Sequence, residues 1–204
     1  PIPSREVKPK NLPKEPTQIE QRVMEVTRSV PFHSIYTAFH MCHRLHPDYH
    51  VVDLISDILS NGKSSRLYQN LVKGKELFSS IDAYITGEID EGLLVVAGIL
   101  NKDVDPYDAQ GAIFEELQDL PKSLNEQELE KVKNRLESTF TFGLTNSLDK
   151  AMNLCYFELL GDANMINTEV ERYRKVTIGD VQRVSSRLFN VSNSSTLIYR
   201  AEKR

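Results

Sequence analysis

Apolar positions along the chain change their period twice, and each change marks a new kind of element. Residues 21–30, QRVMEVTRSV, and 33–42, HSIYTAFHMC, are rich in β-branched and aromatic side chains and are separated at Val30-Pro31, which predicts two strands. The segment 48–60, DYHVVDLISDILS, then puts Val51, Ile55 and Ile58 on one helical face with Val52 and Leu59 beside it, and Asp48 stands where an N-cap is expected. Asn61-Gly62 ends that helix, and SSRLYQNLVKGK begins another with Leu67 and Leu71 on one side. Two more strands follow, LFSSIDAYITGEI (77–89) and GLLVVAGIL (92–100), joined by the acidic turn residues Asp90 and Glu91 as a hairpin.

From Asp105 onward the spacing is helical. Ala109, Ile113, Leu117 and Leu120 form one stripe. Leu129, Val132, Leu136, Phe140 and Leu144 form a longer one, behind a Ser123–Glu126 capping box in which hydroxyl and carboxylate each satisfy a free backbone N–H. A third stripe, Leu148, Met152, Cys155 and Leu159, ends at Gly161. A last helix opens on a Thr177–Asp180 capping box and carries Val181, Val184 and Leu188. The alternating SSTLIYRA (194–201) closes the chain as a strand. The order of elements predicts an α+β fold, a mixed and mostly antiparallel sheet with a layer of helices.

Residues 1–17 break every period. They hold five of the nine prolines, and a segment so dense in proline favours extended geometry over helix or central strand, so it reads as an interdomain linker before a domain over 18–204. The chain starts with proline instead of methionine and shows no signal peptide, so it reads as a piece of a longer polypeptide, with any targeting signal upstream.

Composition narrows the function. The 204 residues carry a formal charge of -4, with 40% hydrophobic and 26% charged residues, which is ordinary for a globular domain and opposite to the basic excess that collects phosphates. No nucleic-acid partner is expected. Gly92–Leu100, the longest apolar run, is about half the roughly 20 residues a bilayer-crossing helix needs, so no membrane span is expected. Cys42 and Cys155 are too few for a disulfide framework and read as free buried thiols.

All five histidines, His33, His40, His43, His46 and His50, fall within PFHSIYTAFHMCHRLHPDYH (31–50), beside Cys42, which raises the question of a metal. His33 and His40, an odd number of positions apart in the second strand, point to opposite faces. His46 and His50 have helical ligand spacing, but Pro47-Asp48 puts the helix start between them. No glutamate occurs between Glu25 and Glu76 to complete HExxH or HxxEH. Metal, catalytic and cofactor-binding residues are therefore all expected to be absent. NGKSS (61–65) imitates the end of a P-loop without its first glycine, and Ser64 and Ser65 lack the nucleophile-elbow glycine, so they read as helix-start residues. Glu88, Asp90 and Glu91 read as solvated turn residues, and the sequons at Asn190 and Asn193 have no secretory context to act in.

HPDYHVVDLISDILSNGKSSRLYQNLVKGKELFSSIDAYITGEIDEGLLVVAGIL resembles the second domain of the insulinase-like zinc metallopeptidases, the group of pitrilysin and the mitochondrial processing peptidase. The resemblance lies in a helix ending in a glycine-containing loop, then SSRL, an aromatic, a further helical turn and a hairpin, and it extends over about 18–200 through TIGDVQRVSSRLF and the last strand. It implies that zinc and its HxxEH belong to an upstream domain of the same polypeptide, that a second peptidase half or subunit completes a chamber, and that the substrate is a peptide. In the substrate-clamping half, a segment resembling LRxxxGLAY supplies an arginine and a tyrosine. Aligned on SSRLYQNL, those positions are Val72 and Ser79 here, which cannot make the same contacts. The departure implies a domain of the zinc-bearing half, or an inactive scaffold subunit such as a respiratory-complex core protein.

Overall fold

A computed structural model describes residues 13, 15–87 and 89–202. Its strands β1 (Arg22–Arg28), β2 (Ser34–Met41), β3 (Phe78–Ile85), β4 (Gly92–Leu100) and β5 (Ser194–Ala201) form one sheet in the order β1-β5-β2-β4-β3. β1 runs parallel to β5, and the other pairs are antiparallel. The helices are α1 (Tyr49–Ser60), α2 (Pro106–Ser123), α3 (Glu126–Gly143), α4 (Ser147–Leu159), α5 (Glu169–Arg174) and α6 (Ile178–Leu188), with a π-helix at Tyr68–Gly74. This is the mixed, mostly antiparallel α+β architecture that the pattern predicts.

The core lies between the sheet and the helices on one of its faces. Ile35, Phe39, Leu94, Val96 and Ile198 point from the strands into it and meet Leu54, Ile55, Ile58 and Leu59 of α1. α1 is buried on nearly all sides because β3, α3, α5 and α6 surround it. Gly98 is there for space: a Cβ at that position would come within 2.6 Å of the Phe78 ring.

Several local expectations are corrected. Asp48 makes no side-chain cap for α1, because its carboxylate is drawn to Arg183 (2.8 Å) and Arg187 (2.9 Å) of α6. α2 runs through Ser123, whose hydroxyl donates to Asp119, and Asn125 caps α3 by accepting from the Glu128 N–H at 3.0 Å. β3 stops at Ile85, short of the expected Ile89, where Gly87 takes a positive φ of 64° and turns the chain away. His33 falls just before β2. The third stripe is not core: Leu148, Met152 and Leu159 are 66%, 61% and 70% exposed, and α4 buries only Phe157. Cys155 shares that exposed face and Cys42 is half-buried, so neither is the buried thiol expected. The Thr177–Asp180 box forms with both hydrogen bonds. Apart from Pro13 and residues 15–17, the proposed linker lies outside the described residues, as does Glu88.

Candidate functional site

The sheet face opposite the helices is left open. Alternation puts Met24 of β1, Tyr36 and Ala38 of β2, Tyr84 of β3, Leu93, Val95, Ala97 and Ile99 of β4, and Leu197 and Tyr199 of β5 on it. Met24, Tyr36, Tyr84 and Ile99 are exposed. A contiguous apolar surface of this kind is unusual on a free monomer and marks a place where another surface packs.

At one end of this face, beside the β3–β4 turn, lies a cavity of about 800 Å3. His40 and His43, Asp90 and Glu91, and Arg22 and Glu15 line it, with Ala38, Leu93 and Ser195 as its floor. The segment entering β1 passes over it: Pro13 and Glu15 line the cavity, and Gln18 is pinned by donating to Ser194 O at 2.8 Å.

Of the histidines that are neighbours in sequence, His40 and His43 line this cavity and His43 also meets His46, while His33 and His50 find partners elsewhere. The Ala201 N–H donates to His33 Nδ1 at 2.9 Å, and the Asp48 N–H donates to His46 Nδ1 at 3.0 Å. His43 stacks edge-on to His46 with ring centroids 5.7 Å apart. His46 precedes α1 and His50 lies within it, so the two share no helical face. Among the described residues, no group of three or more histidine, cysteine or carboxylate side chains could hold a metal ion. The described residues therefore offer no ligand set for the zinc that the resemblance implies for an upstream domain.

His50 instead joins a polar cluster that sequence reading missed. The Arg44 guanidinium meets Glu169 Oε1 at 2.5 Å, and His50 Nε2 lies 3.2 Å from the same oxygen; all three side chains are buried. Burial pushes the Glu169 carboxyl up, but the His50 and Arg44 contacts outweigh it and hold it below the usual glutamate range. One turn along each helix, the Tyr173 hydroxyl donates to Asp53 Oδ2 at 2.5 Å; burial nevertheless leaves the Asp53 carboxyl raised. Glu169 is 119 residues from His50, so local spacing gave no sign of the pairing. The one signal in the sequence was an imidazole within a strongly apolar helix, which needs a buried partner.

Val72 packs half-buried against the main core. Ser79 is exposed at a β-bulge, its hydroxyl donating to Ile99 O at 3.1 Å. Glu76, which aligns with the glycine of LRxxxGLAY, holds φ at 52°, a left-handed conformation that favours glycine. Backbone geometry at this segment thus follows the pattern while its side chains depart from it. Ser64 and Ser65 lie just ahead of the helical turn at Arg66, as expected, and Lys131 Nζ donates to the Ser64 hydroxyl at 3.1 Å.

Comparison with known proteins adds four likenesses. Residues 2–136 match the family described as the peptidase M16 inactive domain. A zinc protease, PqqE, of Helicobacter pylori is 26% identical over 153 residues, which is 74% of this chain and 34% of that protein. The crystal structure of a protease from Helicobacter pylori superposes with a TM-score of 0.89 at 24% identity, over 94% of this chain and 47% of that one. A chain of complex III2 from Candida albicans shares the fold with a TM-score of 0.74 at 16% identity, over 88% of this chain and 45% of that one. The chain spans about a third of the curated relative's length and about half of the Helicobacter structure's.

Proposed function

This chain belongs to the peptidase M16 inactive-domain family, and from that premise we propose that it is the non-catalytic C-terminal domain of a zinc-dependent endopeptidase. In this reading its open sheet face packs against an upstream zinc-bearing domain and contributes to the wall of a chamber that encloses peptide, completed by a second peptidase half or subunit. The observation that carries it is the one-sided sheet, with helices on one face and Met24, Tyr36, Tyr84 and Ile99 exposed on the other. The segment leading into β1 lies over the end of that same face. The description of the Helicobacter relative as a zinc protease supports the chemistry assigned to the upstream domain.

A second reading, a scaffold domain of an inactive relative, draws on Val72 and Ser79, which remove the substrate-clamping side chains, and on the fold shared with complex III2. An upstream sequence carrying HxxEH and a distal glutamate selects the peptidase; one without them selects the scaffold.

The experiment is hydroxyl-radical footprinting of Met24, Tyr36 and Tyr84 in this chain alone and joined to the upstream segment. The proposal expects the three side chains to be strongly oxidised alone and protected when joined. Equal oxidation in both states would mean that the open face is not where the upstream domain packs.

A further inference from the structure

The hydrophobic interior is in two parts. The main core takes in Leu129 and Val132 from the first half of α3, with Leu136 packed partly buried against it, and Tyr173 and Val176 around the end of α5. Between them the chain leaves that core. Phe157 and Leu160 of the α4 region and Ile166 of a 3-10 turn (Ala163–Asn167) form a separate small cluster with Phe140, Leu144, Tyr156 and Met165. α4 packs chiefly on that turn, while its outward face, Leu148, Met152 and Leu159, meets solvent. The excursion also closes its own hydrogen bonds: the Ala163 N–H donates to Glu158 Oε2 at 3.2 Å, and the Asn164 N–H to Asp162 Oδ1 at 2.9 Å.

Its fastening to the body centres on one side chain. The Arg44 guanidinium pairs with Glu169, the last residue of the excursion, and lies over the ring of Tyr49 on α1 (4.5 Å) and that of Phe157 on α4 (5.8 Å). A segment with its own small cluster, few buried apolar groups and one buried ionic fastening has the makings of a cooperative unit that opens below the global unfolding free energy.

We propose that residues 140–169 open and close as a unit on an otherwise folded domain, with the ion pair between Arg44 and Glu169, the last residue of the unit, as the latch. Opening breaks the satellite cluster and the Arg44 contacts but leaves the sheet, α1, α2 and α6 intact, because their apolar side chains belong to the other cluster.

Native-state hydrogen exchange of the full chain in low urea tests this. Amides of α4 and of the 163–167 turn should share one opening reaction with a shallower urea dependence than those of α1 and β4. Ile55→Val, a change in the main core, should speed exchange in α1 roughly fivefold and leave α4 unchanged. Glu169→Gln should speed exchange in α4 at least about tenfold, with Arg44→Lys as the milder variant should the first fold poorly. Exchange in α4 that follows Ile55→Val as closely as exchange in α1 does, or α4 amides with no protection at all, would overturn the separate unit. An α4 opening indifferent to both latch variants would overturn the latch.

Discussion

Arg44 and Glu169 stand 125 residues apart in sequence and 2.5 Å apart in space, and both are buried. The pair ties the loop after β2 to the start of α5, with His50 on the same carboxylate oxygen. Removing one partner leaves the other charge buried and uncompensated, so Arg44→Met should cost about 3–5 kcal/mol in urea unfolding at neutral pH.

The same cluster sets the response to acid. Glu169, and Asp48 beneath Arg183 and Arg187, have folded-state pKa values below their ordinary ones. Their contribution is complete above the unfolded values of about 4.3 and 3.9, and is lost as pH falls through the lower folded values. The urea midpoint should therefore drop below about pH 5, and less steeply in Glu169→Gln. Asp53 has the opposite sign, because burial raises it, so its contribution is lost as pH rises. Asp53→Asn, which keeps an acceptor for Tyr173, should not lower stability at pH 7.

Leu159 and Leu160 are neighbours with opposite fates, 70% and 6% exposed. Leu160→Ala should cost about 2–5 kcal/mol, while Leu159→Ser should stay within about 0.5 kcal/mol in the same unfolding assay.

That pair also shows what the sequence could and could not convey. Helical period says which residues share a face, and where a face meets the sheet, as in α1 or the Ala109–Leu120 stripe of α2, the core follows from it. Period does not say whether anything covers the face, and the α4 stripe has the spacing of a core with nothing packed on it. The Thr177–Asp180 cap was legible because a hydroxyl and a carboxylate stand at reciprocal spacing, whereas the single residue Asp48 was not, since its carboxylate is drawn to α6. Overlapping S-x-x-E and N-x-x-E at 123–128 were not legible either, and the second won because α2 outran Ser123. The open face of β4 was hidden for a different reason: GLLVVAGIL is apolar on both sides, which reads as a doubly covered strand. The partners of His50 and Asp48 come from α5 and α6, beyond any local pattern.

Glu76 offers a stabilising change. Left-handed backbone at a non-glycine residue costs about 1–2 kcal/mol, and the added freedom of glycine in the unfolded chain costs about 0.4–1 kcal/mol. Glu76→Gly should therefore raise stability slightly, by up to about 1 kcal/mol in thermal unfolding. Gly98→Ala should do the reverse, by about 1–3 kcal/mol, as its Cβ meets the Phe78 ring.

The most direct test of the central claim is peptide cleavage by this domain assembled with its upstream segment and paired half, read as kcat/KM. Ile99→Glu puts a charge on the open sheet face and should lower kcat/KM by about tenfold or more, with the domain still folded. Val72→Ala, Ser79→Ala and Leu159→Glu should leave it within about twofold once matched for folded protein. An unchanged kcat/KM for Ile99→Glu, or a hundredfold loss from Val72→Ala or Ser79→Ala, would contradict a domain that works through its open sheet face and does not itself grip the substrate.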